Sequence, residues 1–452
     1  MMNGKHDPGT SRGGGRTRFI LEPEKEVPVA GSFDVLVCGA GPAGFSAAVN
    51  AARQGVATCL IEQASVLGGV ATTGLMSHWT GATRGGFYEE IIERSMDCFK
   101  EDGSIVGGWH SINTEKLKQT MLAMAIEAGV YVRLHTMACA PVMDGHAIKG
   151  VFVESKSGRE AFLATIVIDA TGDGDIAARA GVPFTRGRAG DGRMQPATVM
   201  FTVGGVDTAR AVLPGAFESN PPVPAGRIQD LGKRHLPPPA GHVLLYQTTI
   251  PGVVSVNMTN STGIDGTSAG DLTRAEIECR GQIESIVAFL QRFVPGFERC
   301  HLLGSAGAVG VRETRHFTGE YTLTEHHILE AKVFDDWAVT GAHFNFDIHH
   351  LESSGLDPAG LQRDFPQRKH YTIPYRCLVP TAVDNLLLAG RNISGSHVAH
   401  SSFRVMPICA NLGQAAGVAA ALCVKKAIVP RRLDVADLQA ILVAGGMIPV
   451  GA

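Results

Sequence analysis

The clearest pattern in the chain is a pair of apolar runs separated by a segment of small residues. The run FDVLVC begins at Phe33, and the run VATCLIE begins at Val56. Continuous apolar runs of this length are typical of strands that are buried on both faces of a parallel sheet. The segment between them, Pro42 to Gln54, is rich in Ala and predicts a closely packed helix. The pattern therefore predicts a β–α–β unit.

Further along the chain the pattern first stays helical and then changes to alternation. Apolar residues recur at helical spacing in 86–100 and again from Thr114, a predicted N-cap, to Ala128. Residues 130–169 contain short alternating runs, divided by the turn dipeptides DG at 144–145 and SG at 157–158. This region predicts a β-meander that ends in a buried strand, TIVID.

Residues 200–300 carry a weaker pattern, interrupted by the Pro-rich segments PPVPAG and HLPPPAG. The runs GHVLLYQTTI and VVSVNMTN predict edge strands, and Leu272 to Phe293 predicts an amphipathic helix. From residue 371 the first pattern returns, with a strand at NLLLAG and an Ala- and Gly-rich helix from Pro407. The middle region is therefore predicted to be a second domain, inserted into the first.

The composition is that of a globular protein large enough for two domains, with 452 residues of which 44% are hydrophobic and 18% charged. Its net charge of −3 argues against nucleic acid as a partner. The nine cysteines form no C-x-x-C pair, and no Cys/His run has zinc spacing, so we predict no metal site. Cys38 and Cys59 stand in apolar runs, which favours reduced thiols and a cytoplasmic location. We expect no membrane span and no secretory signal.

The segment GAGPAG, residues 39–44, follows the first strand directly and opens the helix, as a dinucleotide-binding loop requires. Gly39 permits a tight turn, Gly41 lets the backbone approach a pyrophosphate, and Gly44 lets helix and strand pack closely. Free N–H groups at the helix start favour the negative charge. Glu62, at the end of the second strand, is placed to accept both hydroxyls of an adenosine ribose and disfavours a 2′-phosphate. A loop of this kind alone could be a structural turn; with the strands and the acid it predicts a dinucleotide site.

Two later segments end buried strands in a similar way. TIVIDATGDGD, at 165–175, and NLLLAGRNISG, at 385–395, each lead from an apolar strand into a turn of small and polar residues. They could be ordinary strand–loop connections without a function. If both strand ends approach one extended ligand, FAD fits better than NAD, because an NAD site is shorter.

Together these segments resemble the FAD-dependent oxidoreductases with a glutathione-reductase-type flavin domain, and most closely a bacterial branch distantly related to the fumarate reductase flavoproteins. The motifs are DVLVCGAGPAGFSAA with LIEQASVLGG, IDATGDGDIAARAG, VRETRHFTGEYTLT and NLLLAGRNISGSHVAHSSFRVMPICANLGQAAG. The resemblance implies an α/β fold: a Rossmann-like FAD-binding domain, with a parallel sheet plus β-meander, and an inserted α+β substrate or cap domain. The predicted division is 1–30, a flexible N-terminal arm; 31–200 and 371–428, the FAD-binding domain; 201–370, the cap; and 429–452, a C-terminal helix and tail.

The resemblance also implies where a non-covalently bound FAD would lie. The glycine loop would hold the pyrophosphate, the backbone of Ala138 and Cys139 would touch adenine, and the 390–391 turn would face the ribityl chain. The helix that follows Met406 would point its N-terminus at the N1/O2 edge of the flavin, where its dipole stabilises the anionic reduced form. Arg391 is a departure, since many relatives carry Asp there. The predicted cofactor-binding residues are Gly39, Gly41, Pro42, Ala43, Gly44, Glu62, Gln63, Gly68, Gly69, Ala138, Ala170, Thr171, Gly172, Asp173, Gly390, Arg391, Val405 and Met406.

A flavin supplies the hydride chemistry, so the protein must supply cations for a polar substrate and an acid or base for its proton. The loop before the flavin-edge helix is the richest source. Either His397 or His400 could be a base near neutral pH, and Arg404 could hold a carboxylate or stabilise negative charge on the flavin. This loop could instead only support the cofactor.

Three further segments carry candidate groups. VRETRHF offers Arg312, whose neighbours Glu313 and Arg315 could equally form a structural ion-pair network. Arg376 is expected to face the substrate from the cap, and His343 begins a His- and Asp-containing run without metal-ligand spacing. The candidate catalytic residues are His397, His400, Arg404, Arg312, Arg376 and His343.

The leading hypothesis is an FAD-dependent oxidoreductase that oxidises or desaturates a small polar metabolite by hydride transfer to flavin N5. Oxygen, a quinone or a protein carrier would reoxidise the flavin. The lack of a C-x-x-x-x-C pair argues against a disulfide-reductase mechanism, and GGVATTG in place of a His-rich attachment segment argues against covalent flavin. The alternatives are a flavoprotein that modifies RNA or builds a thiazole-like product, and a non-catalytic electron-relay subunit. A homodimer is left open.

Overall fold

The structure, a computed structural model, describes residues 20–95, 110–357 and 369–450. The strands are β1 Val29–Cys38, β2 Thr58–Ile61, β3 His78–Trp79, β4 His110–Ser111, β5 Tyr131–Arg133, β6 Thr136–Asp144, β7 Ala147–Ser155, β8 Gly158–Asp169, β9 Phe184–Arg186, β10 Phe201–Gly204, β11 Pro222–Val223, β12 Gly226–Arg227, β13 Leu245–Gln247, β14 Val254–Val256, β15 His301–Ser305, β16 Arg315–Phe317, β17 Trp337–Ala342, β18 Tyr371–Pro374 and β19 Leu386–Leu388. The α-helices are α1 Pro42–Arg53, α2 Phe87–Ser95, α3 Thr114–Glu127, α4 Asp175–Arg179, α5 Ile228–His235, α6 Ala269–Phe293, α7 Glu325–Leu329, α8 His397–Phe403, α9 Met406–Lys426 and α10 Val435–Ala444.

The larger sheet has the strand order β5-β2-β1-β8-β7-β6, and β19 also pairs with β8. The strands β5, β2, β1, β8 and β19 run parallel, whereas β6, β7 and β8 form an antiparallel meander. The apolar runs predicted as buried strands are β1 and β2, and their central residues are fully shielded from solvent. The predicted fold class, a parallel sheet with a β-meander, is confirmed.

The register of this sheet places four strand ends side by side. Cys38, the last residue of β1, pairs with Ile61 on one side and with Asp169 on the other, and Asp169 also pairs with Leu388. Because these strands are parallel, their carboxyl ends share one edge of the sheet. The glycine loop, Glu62 and the two later turns all follow this edge, where open α/β sheets bind their ligands.

Helix α9 packs closely against α1 beneath this edge. An ideal Cβ at Gly413 would lie 2.0 Å from the Ala43 carbonyl oxygen, and one at Gly417 would lie 2.2 Å from that of Ala47. Glycine at these positions therefore lets the two helix backbones meet. By length and apolarity alone α9 could cross a membrane, a feature that the sequence analysis did not expect, but 89% of its apolar window is buried inside the protein. This burial assigns α9 to the core.

A second, antiparallel sheet with the order β13-β14-β10-β15 forms the inserted domain. Its core contains residues between Phe201 and Cys300, with Ile286, Phe289 and Leu290 of α6 among them. From Phe317 onward, including the segment up to Phe346, the chain contributes to the larger core instead. Strand β17, within the predicted cap of 201–370, pairs with β18, at the start of the predicted second part of the FAD-binding domain, and contacts α9 and α10.

Several helices begin or end a few residues away from the positions predicted from the sequence. Asn113 rather than Thr114 caps α3, since its side chain accepts hydrogen bonds from the N–H groups of Glu115 and Lys116. The helix predicted from Leu272 begins three residues earlier, after the cap Ser268. The prediction of a helix over 86–100 is met by α2 as far as Ser95, and the rest lies outside the described residues. Residues 1–19 of the predicted N-terminal arm also lie outside them.

Candidate active site

The glycine loop shows which of its glycines the protein itself requires. Gly39 has a φ of +90°, and an ideal Cβ there would lie 2.5 Å from the Ala170 carbonyl oxygen. A Cβ at Gly44 would lie 1.8 Å from the Gly39 carbonyl oxygen. At Gly41, by contrast, a Cβ would meet no described atom within 4 Å. Gly39 and Gly44 are therefore required by the turn and by the packing. Gly41 faces the open side, where a ligand could approach the protein backbone.

A second turn covers this loop from the other side. The Gly68 N–H donates to the Ala40 carbonyl at 2.7 Å, and an ideal Cβ at Gly69 would lie 3.0 Å from the Gly41 Cα. The two loops thus approach backbone to backbone, and only small residues fit between them. The predicted pair Gly68 and Gly69 is placed beside the pyrophosphate position that the resemblance implies.

Glu62 is nearly buried at the end of β2, with 8% of its surface exposed. Its Oε2 accepts a hydrogen bond from the Ala40 N–H at 2.7 Å, and its Oε1 accepts one from the Ala64 N–H at 2.8 Å. These bonds hold the carboxylate at the mouth of the glycine loop. This position suits the ribose contact predicted from the sequence, and Gln63 follows it directly.

The turn after β8 is organised by Asp169, which is fully buried. Its carboxylate accepts hydrogen bonds from the Thr171 N–H and hydroxyl and from the Ala177 N–H. Burial raises the pKa of Asp169 above its ordinary value, and these hydrogen bonds oppose that shift. Asn392, on the neighbouring strand end, donates to the Asp169 carbonyl at 2.9 Å. The two predicted cofactor turns, 170–173 and 390–391, are therefore joined.

Arg391 is turned toward the first of these turns. Its Nη2 donates to Asp173 Oδ1 at 2.7 Å, and the Thr314 hydroxyl donates to the same oxygen at 2.7 Å. Arg315 donates to the Asp173 carbonyl and pairs with Asp175. This ion-pair network favours the structural alternative for Arg315. It also leaves the backbone of the 390–391 turn, rather than the Arg391 side chain, on the ligand side.

The remaining predicted cofactor residues lie on the same edge or beside it. Pro42 and Ala43 form the first turn of α1, and an ideal Cβ at Gly390 would lie 3.0 Å from the Ala43 Cβ. Ala138 lies in β6, at an irregularity in its pairing with β7. Val405 is the N-cap of α9 and, among the described residues, no side chain caps its N-terminus.

Two histidines, His397 and His316, form hydrogen bonds with one buried carboxylate, that of Glu313. Glu313 Oε1 accepts hydrogen bonds from His397 Nδ1 at 2.5 Å and from His316 Nε2 at 2.8 Å. Burial alone would raise the pKa of Glu313, but these two bonds outweigh it and hold the pKa well below its ordinary value. The ring of His400 packs edge-on against His316, with centroids 5.0 Å apart. Burial holds the pKa of His400 well below its ordinary value, so it is neutral at pH 7.

This histidine cluster also has the spacing of a metal-ligand set. One ligand atom each from Glu313, His316 and His397 lie within 4.8 Å of one another. The prediction of no metal site from Cys/His spacing did not consider these residues, because His316 and His397 are far apart in sequence. The hydrogen bonds described above use the same atoms.

A second cluster of charges lies next to the first. Arg404 Nη2 donates to Asp347 Oδ2 at 2.9 Å, and His349 Nε2 lies 3.4 Å from the same oxygen. Arg312 Nη1 donates to the Pro196 carbonyl at 2.7 Å and to the Thr198 hydroxyl at 2.8 Å.

Gln195 connects the two clusters. Its N–H donates to Glu313 Oε2 at 3.2 Å, and its Oε1 accepts from the His349 N–H at 3.2 Å. His397 and His400 thus belong to one cluster, and Arg312 and Arg404 to a cluster beside it.

Arg376 and His343 take other positions. Arg376 pairs with Asp336 at 2.8 Å and stacks over the ring of Tyr321, at a cleft of about 410 Å³. His343 lies with its ring 5.0 Å from that of His370, and its backbone pairs with Ala82. In the part of the chain that the structure describes, neither side chain joins the contacts of the two clusters, and their catalytic roles stay predictions.

Asp347, His349, His316 and Gln195 were missed as site residues by the sequence analysis. The sequence signal for Asp347 and His349 is the alternation in FNFDIHH, which was considered only as a metal pattern. His316 stands in VRETRHF, a motif of the resemblance. Gln195 has no local signal, because its role comes from contacts to residues more than a hundred positions away.

The residues present fit FAD. Gly41 leaves the open side of the loop free for a pyrophosphate, and Glu62 lies beside this loop, where the sequence predicts the ribose contact. Among the described residues, buried polar atoms without a hydrogen-bond partner include Thr73 Oγ1, Asn392 Oδ1 and His400 Nδ1. All three follow segments that the resemblance places around the cofactor. Such orphaned atoms are expected where a polar ligand belongs.

Parts of the chain are similar to known proteins. A digeranylgeranylglycerophospholipid reductase of Picrophilus torridus is 31% identical over 158 residues, which cover 31% of this chain and 39% of that protein. A dihydrolipoyl dehydrogenase of Chlorobaculum tepidum is 57% identical over 42 residues, or 9% of each chain. The chain therefore matches less than half the length of either of these curated relatives.

Solved structures with a similar course of the chain include a geranylgeranyl bacteriochlorophyll reductase-like protein from Thermoplasma acidophilum, with a TM-score of 0.48 and 12% identity over 92% of this chain and 84% of that one. The flavin-dependent brominase Bmp2 has a TM-score of 0.47 and 12% identity over 91% of this chain and 83% of its own. A family model described as FAD dependent oxidoreductase matches residues 34–442. The chain belongs to the FAD-dependent oxidoreductase family, and FAD is its cofactor.

Proposed function

We propose that the protein oxidises or desaturates a small polar metabolite, passing a hydride to FAD and a proton to His397. The observation that supports this proposal most is the hydrogen bond between His397 Nδ1 and Glu313, just before the helix that the resemblance places at the flavin edge. FAD, when bound, supplies the hydride acceptor. The electrons would then leave to oxygen, a quinone or a protein carrier.

His397 is better suited than His400 to accept the proton. Because the Glu313 carboxylate accepts the proton of Nδ1, Nε2 of the neutral ring carries the free electron pair. An acid behind a histidine fixes the tautomer in this way and stabilises the cation that forms when the ring takes a proton. His397 keeps 9% of its side chain exposed, whereas His400 is fully enclosed and its low pKa makes it a poor proton acceptor. The proton of the substrate would therefore move to His397 Nε2.

Anaerobic mixing of the holoprotein with small alcohols, amines and saturated acids tests this proposal, with the visible absorption of the flavin as the readout. A substrate should bleach this absorption, and His397→Ala should slow the bleaching about 10²- to 10⁴-fold while FAD content stays the same. His326→Ala, at an exposed histidine of α7, is the matched control and should leave the rate unchanged.

Three outcomes would count against the proposal. Equal rates in His397→Ala and wild type would remove His397 from proton transfer. Loss of flavin reduction after treatment with a chelator would mean that a metal ion bound at Glu313, rather than the hydrogen-bonded His397, takes part in the reaction. Reduction of the flavin by a carrier protein alone, with no small molecule active, would favour an electron-relay subunit.

A further inference from the structure

The cluster around Asp347 has more positive than negative charge. Arg404 pairs with Asp347, and Arg312 lies close enough that both guanidinium groups act on this carboxylate. Burial would raise the pKa of Asp347, but His349, Arg404 and Arg312 hold it well below its ordinary range. Asp347 is therefore ionised at neutral pH and balances one of the two arginines.

The neighbouring histidines add no charge. Burial lowers the pKa of His349 to about 4 and that of His242 to about 3, so both are neutral at pH 7. Glu313 belongs to the neighbouring cluster, where its carboxylate accepts hydrogen bonds from His397 and His316. Within the contacts of the cluster around Asp347, two guanidinium groups thus face one carboxylate.

A buried guanidinium group is costly unless hydrogen-bond acceptors or an anion accompany it. Burial and the neighbouring Arg404 lower the pKa of Arg312 to about 10, which leaves it charged at pH 7. The cluster also holds unused donors: among the described residues, Arg404 Nε and Gln195 Nε2 are buried without a hydrogen-bond partner. Planar guanidinium groups with free N–H bonds are the preferred partners of carboxylates.

The cluster keeps some contact with solvent. The side chains of Asp347 and Arg404 retain 21% and 13% of their accessible surface. Arg404 directly precedes Val405, the N-cap of α9, and follows the helix that carries His397. Along the chain, Arg404 therefore connects the helix of the proposed proton acceptor to the helix that the resemblance places at the flavin edge.

We propose that Arg312 and Arg404 form a carboxylate-binding site and that the substrate of the proposed oxidation is a small organic carboxylate. The proposal rests on the proposed function for the reaction, but the binding of an anion here can be measured without turnover. The carboxylate would accept hydrogen bonds from Arg404 and Arg312, while the carbon to be oxidised faces His397.

Titration of the oxidised holoprotein with acetate, glycolate and benzoate tests the site through the difference spectrum of the flavin. Acetamide, glycolamide and benzamide are the matched neutral probes, and inorganic phosphate is the probe for anions in general. At least one carboxylate should give a saturable change, and its amide should bind at least about tenfold more weakly, because hydrogen bonds to charged groups are lost. Arg312→Gln and Arg404→Gln should weaken carboxylate binding by a similar factor.

The control is Arg210→Gln, at an exposed arginine of the inserted domain that pairs with Asp207 and Glu298, and it should leave binding unchanged. If a Gln variant loses FAD or unfolds, Arg312→Lys and Arg404→Lys keep the charge and should weaken binding less. Equal binding of carboxylates and amides, no saturable change with any carboxylate, or a response to phosphate alone would overturn the proposal. So would arginine variants that change the reduction potential of the flavin but not carboxylate binding. Bleaching of the flavin by a neutral metabolite would leave the proposed function standing while this site fails.

Discussion

His397 Nδ1 donates a 2.5 Å hydrogen bond to Glu313 Oε1, which joins two segments 84 residues apart in the chain. One segment follows the sheet of the inserted domain, and the other precedes the long core helix α9. The bond therefore fixes a histidine ring where the two parts of the protein meet. Because a carboxylate only accepts hydrogen bonds, it also fixes which nitrogen of His397 carries the proton.

The first prediction concerns this tautomer. Glu313→Gln removes the charge and offers an amide that can donate to Nδ1, so the free electron pair of His397 moves away from the substrate side. We expect the rate of flavin reduction to fall about 100-fold or more while FAD content is kept. Stopped-flow absorption under anaerobic conditions measures this. An unchanged rate would mean that Glu313 does not orient the base.

The second prediction concerns stability against pH. The pKa of Glu313 is lower in the folded than in the unfolded protein, so the unfolded state binds more protons as pH falls. The stability that Glu313 contributes is fully present above its ordinary pKa of 4.5 and is lost as pH falls toward the folded pKa. Wild type should exceed Glu313→Gln in unfolding free energy at pH 7, and the gap should shrink below about pH 4.5. Urea unfolding at several pH values measures it, and a gap that widens in acid would contradict the assignment.

The third prediction separates two glycines of one loop. Gly41→Val should leave the apoprotein folded, since a Cβ at Gly41 meets open space and its φ of −62° suits any residue, but it should abolish FAD binding. Gly44→Ala should lower the free energy of unfolding by at least about 1–3 kcal/mol, because its Cβ collides with the Gly39 carbonyl. Thermal melting of the apoproteins and titration with FAD distinguish them. The reverse pattern would place the ligand elsewhere.

The fourth prediction concerns the ribose contact. Glu62→Gln keeps the shape of the side chain but replaces one acceptor oxygen by a donor, opposite either the Ala40 N–H or the Ala64 N–H. We expect the dissociation constant for FAD to rise at least about tenfold. Glu154→Gln, at a partly exposed glutamate that pairs with Arg159, is the control. Equal FAD affinity in both variants would remove Glu62 from the site.

The fold around the glycine loop could be predicted from sequence because its determinants are local. The buried strand β1, the glycine loop and helix α1 follow one another within residues 29–53, and Glu62 ends the next strand. Hydrophobic pattern and glycine spacing suffice for such a unit. Cys38 and Cys59, predicted to stand in buried strands, are buried, and burial raises the pKa of Cys59 to about 12. Cys98 lies outside the described residues.

The two side-chain clusters, around Glu313 and around Asp347, could be predicted only in part. His397 and Arg404 were named from one loop, but their partners come from other segments. Gln195 contacts His349 across 154 residues, and this contact depends on how the inserted domain meets the larger sheet. The hydrophobic periodicity of the chain does not predict how the inserted domain packs against the larger sheet. The expectation that Arg376 faces the substrate stays a prediction; in the structure Arg376 pairs with Asp336 at a cleft that Tyr321 also lines.

The most direct test of the account is the visible spectrum of the purified protein before and after acid precipitation. We predict one FAD per chain, released completely into the supernatant, and none in Gly41→Val. A yellow pellet would mean a covalent flavin, and FAD retained in Gly41→Val would mean that the carboxyl edge of the sheet does not hold the cofactor as described here.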